Sequence, residues 1–182
     1  MSILKVARMG HPVLRERARP LDNADIKSAA IQQLIDDMLD TMREYHGVGL
    51  AAPQVHEGLR LFVAVLDSGD DDDDAEREPP EPIAIINPDI TVVDPVIVED
   101  WEGCLSIPDI RGKVPRNRRV RVRGFGRDGE ALDMELEDFQ ARVFQHENDH
   151  LNGILFFDRM KSFETLAFLD EYSRFWAKDK DE

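Results

Sequence analysis

The stretch Gln145-His146-Glu147-Asn148-Asp149-His150 contains the pattern H-E-x-x-H. On a helix, residues four apart share a face. His146 and His150 can therefore offer two imidazole nitrogens to one metal ion. Glu147 stands beside the first of them, where its carboxylate can reach a water at the metal, which is the chemistry of metal-dependent hydrolases. The plainer alternative is a surface helix with two chance histidines. The whole chain has only five histidines in 182 residues, which makes that pairing a poor coincidence. Two imidazoles do not complete a catalytic centre, which uses three protein ligands and keeps one position open. Two residues compete for the third place. Cys104 is the only cysteine; on its own it reads by default as a structural loop residue, with nucleophile and ligand as the alternatives. Glu171 follows His150 by 21 residues, a spacing that suits a downstream glutamate ligand in a His2Glu metallopeptidase.

The flanks predict the helix that must carry the histidines. Asp138 is a candidate N-cap and Gly153 a candidate stop, with Phe139, Val143, Phe144 and Leu151 as apolar positions. Upstream, Ile31, Leu34, Ile35, Met38, Leu39 and Met42 repeat at helical spacing, and Gly47 follows as a stop. Gly47 to Gln54 is small and glycine-rich, fit for close approach of a ligand to backbone or for a tight apolar loop. Gln54 matters if it faces the site, where its amide can donate to a developing oxyanion.

Strands are expected at Leu59 to Leu66, Ile83 to Ile86, Thr91 to Val93 and Val96 to Val98. Arg119, Arg121 and Arg123 alternate with valines on one face of a further strand, expected to pair with surface acids. Asp128-Gly129 makes a hairpin turn to a return strand with Leu132, Met134 and Leu136. Ile154 to Phe157 reads as extended. The apolar stripe Phe168, Leu169, Tyr172, Phe175 and Trp176 reads as a helix face used for core packing or a dimer contact. This order predicts a single α+β domain over residues 1–182 with a mostly antiparallel sheet, an acidic mobile loop at 70–82 and a C-terminal helix and tail at 162–182.

Composition narrows the function. The net charge of −15 argues against general nucleic-acid binding. No apolar run is long enough for a membrane span, and the N-terminus has no signal character, so a cytoplasmic protein is expected. A lone cysteine permits no intrachain disulfide and fits a reducing compartment.

Taken together, Gly47-Val48-Gly49-Leu50-Ala51-Ala52-Pro53-Gln54, Glu102-Gly103-Cys104-Leu105-Ser106 and Gln145-His146-Glu147-Asn148-Asp149-His150 resemble the three ordered motifs of the peptide deformylases. The resemblance extends over residues 3 to about 160. It implies that family's α+β fold, with a mixed, mostly antiparallel sheet around a central metal-binding helix. It implies Cys104 as the third ligand with His146 and His150, and one divalent ion, usually iron(II), with zinc, nickel or cobalt able to replace it. It implies hydrolysis of the N-formyl group of formylmethionyl nascent peptides, with Glu147 as proton carrier and the Gln54 side chain and Leu105 backbone N–H at the oxyanion. The peptide is expected to pair with backbone near Val48 and Gly49 and against Glu102 and Gly103. Its methionine would enter a pocket of Val48, Phe139, Val143 and His146. Arg142 replaces a commonly apolar residue and is expected to snorkel outward, while Asp149 orients Arg111 or Arg116. The C-terminal segment 162–182 carries six acids and three bases, which argues against ribosome docking. The competing readings are the His2Glu metallopeptidase and a catalytically inactive, ribosome-associated module.

Overall fold

Leu61-Phe62-Val63-Ala64-Val65 has no polar residue, so it needs cover on both faces. It gets it from two helices. Leu61 and Val63 face a core shared with Ile35, Met38 and Met42. Phe62 and Ala64 face the opposite core, shared with Ala141, Val143 and Phe144. The computed structural model describes residues 2–66 and 82–177. The expected acidic loop therefore lies, except for Pro82, outside the described residues, as does the tail 178–182.

The strands are β1 (Gly49–Ala51), β2 (Leu61–Val65), β3 (Pro82–Cys104), β4 (Ile107–Phe125), β5 (Ala131–Glu137) and β6 (Ala167–Phe168). The helices are α1 (Asn23–Ile26), α2 (Ala29–Glu44), α3 (Asp138–Leu151) and α4 (Leu169–Phe175). The sheet runs β1-β2-β3-β4-β5, with β6 added to β4, and every ladder among the described residues is antiparallel. One isolated parallel bridge joins Arg19 and Leu59.

The three short strands expected between residues 83 and 98 are one bulged strand, β3. Its register shifts fall at Ile86/Asp89, Val92/Asp94 and Asp94/Ile97, around Pro88 and Pro95. A proline lacks a ladder donor, so it is tolerated where pairing is already irregular. Arg121 donates to Asp133 at 2.6 and 2.8 Å, and Arg119 reaches Glu135, so the arginine face is paired as expected.

Helix α2 is N-capped by Ser28. It stops one residue earlier than expected, because His46, not Gly47, takes the left-handed conformation (φ 54°). The α3 start also differs. Asp138 is its first residue, itself at φ 49°, and no side chain caps it. The α3 stop is as expected. Gly153 (φ 71°) donates to His150 O and Ile154 to Asp149 O, closing the last turn. A Cβ there would also strike the Arg15 carbonyl at 2.5 Å. Phe156–Arg159 is a 3-10 turn rather than an extended segment. No residue of α4 is buried, so the aromatic stripe is not core.

Candidate metal centre and substrate cleft

Two parts of the chain meet here. Cys104 ends β3, held in place by the two-residue Leu105-Ser106 link into β4. His146 and His150 lie one turn apart on α3. The three ligand atoms all fall within 4.8 Å of one another, and Cys104 Sγ is 3.3 Å from His150 Nε2. Metal–ligand bonds of about 2.0–2.3 Å in a tetrahedron separate ligands by roughly 3.5 Å, so the trio fits one ion. His146 gives Nδ1 to Glu102 Oε2 at 2.8 Å, which turns its other nitrogen to Cys104. Burial holds His150 well below its ordinary pKa, in the neutral form a ligand needs. Glu171, the rival third ligand, lies on exposed α4 and is not part of this cluster.

Glu102 is the joint between hairpin and helix. Burial opposes its ionisation, but hydrogen bonds from His146 and Arg116 outweigh that and keep its pKa far below the usual carboxylate range. Arg116 on β4 grips it at 2.8 and 3.0 Å. Arg142, one turn before His146, adds a bond of 2.8 Å. Arg142 does not snorkel outward: it is 6% exposed and also donates to the Val114 and Val98 carbonyls at 2.8 Å each. Three fixed acceptors hold a guanidinium inside where a single one would not. Asp149 binds Arg116 as expected and not Arg111; Arg159, which the sequence did not suggest, completes it at 2.7 and 3.0 Å. Arg111 instead lies over Gly103 and lines the cleft.

Glu147 is 4% exposed, and its Oε2 has no hydrogen-bond partner. Burial, the main cause, pushes its carboxyl up to about 7. Gly49 is glycine because of it: a Cβ at Gly49 would lie 2.4 Å from Glu147 Oε1. Gln54 does face the centre. Its Oε1 accepts from Ala51 N–H at 2.8 Å, which turns its NH2 toward Ser106 Oγ (3.2 Å) and Cys104 Sγ (3.6 Å).

The centre opens into a cleft of about 540 Å³ whose lining includes Val48, Gly49, Glu102, Gly103, Cys104, Leu105, Phe139 and Val143. Val48 (45% exposed) and Phe139 (58%) form the rim, and Val143 lies deeper. Every sequence-derived site residue except His150 lines this cleft; His150 is buried behind it. The sequence missed three supports. The N-terminal arm is tied to two motif loops, through Ala7 N to Gln54 O (2.7 Å) and Met9 N to Ser106 O (2.8 Å). Gln145 pairs through its amide with the backbone of Asn117. Trp101 and Leu169 also line the cleft. Only the alternation of Trp101 with Gly103 along β3 hinted at any of them.

Comparison with known proteins agrees with this arrangement. The family model described as polypeptide deformylase matches residues 3–165. The chain is 42% identical to peptide deformylase 2 of Nostoc sp. over 97% of both chains. It resembles the crystal structure of peptide deformylase from Thermotoga maritima (TM-score 0.77, 40% identity, covering 89% of this chain and 100% of that one). It also resembles the Met-Ala-Ser-bound class I type b peptide deformylase of Acinetobacter baumannii (TM-score 0.79, 38% identity, covering 88% and 100%). On sequence, fold and site geometry alike, this chain belongs to the polypeptide deformylase family.

Proposed function

We propose that this cleft performs its family's reaction, hydrolysis of the formamide on N-formylmethionyl nascent peptides, with Cys104, His146 and His150 as the metal ligands. A thiolate with two imidazoles suits iron(II), our choice for the ion in the cell, and also accepts zinc, nickel or cobalt. The bound ion supplies Lewis acidity to the water and to the formyl oxygen.

The remaining work falls to the chain. The peptide lies extended against the free edge of β1 at Val48 and Gly49 in the manner of an added strand, with Glu102 and Gly103 opposite. Its methionine enters the apolar recess of Val48, Phe139 and Val143. Glu147 takes a proton from water as oxygen bonds to the formyl carbon, and gives it to the amine as the carbon–nitrogen bond breaks. The Gln54 NH2 and the Leu105 backbone N–H donate to the oxygen that gains charge. Formate and a free amino terminus leave. Met-Ala-Ser, bound in the Acinetobacter baumannii relative, has the free amino terminus that this reaction would leave.

The observation that carries this reading is the unpartnered Glu147 oxygen beside the Cys104–His146–His150 cluster. Such a substrate supports a location with newly made polypeptides, in the cytoplasm. No helix among the described residues is long and apolar enough to cross a membrane. The acidic C-terminal segment is not suited to docking on ribosomal RNA. The test is formate release from formyl-Met-Ala-Ser by anaerobically prepared protein, with metal counted on the same sample. Stoichiometric metal without formate release would overturn the reading.

A further inference from the structure

The family match stops at Thr165, yet the chain continues and returns Leu169 to the lining of the cleft. β6 pairs with β4 at Ile110 and Arg111, beside the Arg111 side chain that lies over Gly103. Thr165 Oγ1 accepts from Lys113 N at 3.1 Å. α4 then turns back and rests its aromatic side on β3. Trp101 meets Tyr172 at 4.8 Å and Trp176 at 5.7 Å between ring centroids. The Lys113 ammonium sits over both indoles, at 5.5 and 6.0 Å. No residue of this helix is buried, so core formation does not explain why it docks here. What the docking achieves is to bring Leu169 into the lining of the cleft, which Trp101 also lines.

Resting on the deformylase reading above, we propose that Leu169 and Trp101 form a specificity wall for the peptide beyond its methionine, favouring an apolar side chain there. The methionine recess of Val48, Phe139 and Val143 uses neither residue. Both are partly exposed apolar groups on the cleft lining, so a substrate side chain laid on them removes apolar surface from water. Leu169 is the part of the wall that the C-terminal arm contributes, so selectivity past the methionine is set in part by a segment outside the matched family region.

The test compares three substrates, formyl-Met-Leu-Ser, formyl-Met-Ser-Leu and formyl-Met-Ser-Ser, on the metal-loaded parent, Leu169→Ser and a chain ending at Thr165. The parent should prefer at least one leucine peptide over the all-serine one by about fivefold in kcat/KM, roughly the worth of one covered methylene or a little more. Leu169→Ser and the shortened chain should lose that preference, mainly through KM. Phe175→Ser, altered on the same helix but outside the cleft, should keep it. An equal preference in parent and Leu169→Ser, or none in the parent, overturns the proposal. Trp101 and Trp176 are the only two tryptophans, so indole fluorescence reports this wall directly. If no peptide yields formate, the deformylase reading fails, and the wall is judged by fluorescence titration with unformylated Met-Leu-Ser, Met-Ser-Leu and Met-Ser-Ser. Tighter binding of a leucine peptide that Leu169→Ser removes upholds the wall, and equal binding overturns it.

Discussion

Gly49→Ala is the smallest change that should separate holding the metal from using it. The added Cβ would lie 2.4 Å from Glu147 Oε1 and 2.8 Å from both Cδ and Cγ. Ordinary contact begins near 3.4 Å, so the carboxylate has to retreat by about 1 Å. β1 is pinned to β2 through Gly49↔Ala64 and its neighbours, and Glu147, 4% exposed, yields toward the cleft it lines and so away from its working position. Overpacking of this kind costs about 1–3 kcal/mol of stability. A misplacement of about 1 Å in a reacting group costs on the order of 10²-fold in rate. The expected result is a fall of about 10²-fold in kcat at unchanged metal stoichiometry, because the three atoms nearest the added Cβ all belong to Glu147 and none to a metal ligand. Formate release and metal content on one preparation measure both. Glu147→Asp shortens the side chain by one methylene, so in the Gly49→Ala background it should cost less than it does alone. Parental kcat in Gly49→Ala, or purely multiplicative losses in the double variant, would refute the steric argument.

Other outcomes follow from the same geometry. Glu147→Gln should keep its metal and lose about 10²–10⁴-fold in turnover, since an amide cannot carry the proton; near-parental deformylation with metal in place would remove Glu147 from the mechanism. Cys104→Ser should lose most of its metal while Glu171→Ala keeps it, and metal analysis showing the reverse would move the site to the His2Glu class. Arg142→Leu should destabilise by about 3 kcal/mol in urea unfolding, because it removes one buried charged donor from the Glu102 carboxylate and from two carbonyls; a loss below about 0.5 kcal/mol would mean the guanidinium is not a strut. Glu102 has a depressed folded pKa, so its contribution is complete above its unfolded value of about 4.3 and is lost as pH falls toward the folded one. In chelator-treated protein, Glu102→Gln should flatten stability against pH over that acid window, and an unchanged slope would contradict the ion-pair account.

The reacting groups were legible because their spacing is local. His146, Glu147 and His150 occupy one turn and a bit of helix, and a period alone places them. Cys104 could be assigned only through resemblance, since His146 lies 42 positions further along the chain, beyond β4 and β5, and nothing local brings the two together. The inward turn of Arg142 was illegible for a similar reason. Its acceptors lie on β3 and β4, and without the register of that hairpin an arginine on a helix defaults to solvent. Pro88 and Pro95 misled in the other direction. They read as strand ends, but the sheet absorbs them in bulges and keeps one strand from Pro82 to Cys104. The wall at Leu169 depends on where a short strand attaches, which periodicity does not encode.

The Glu102 joint has a consequence for how the protein lives with its metal supply. His146 is aimed by Glu102, Cys104 is approached by Gln54, and Arg116 and Arg142 fasten the carboxylate from β4 and α3. These are bonds between protein groups, so the donor set is assembled by the fold itself and the ion does not have to build its own cage. The ion's identity in a given cell should then follow which divalent metal is abundant there, while the fold stays constant.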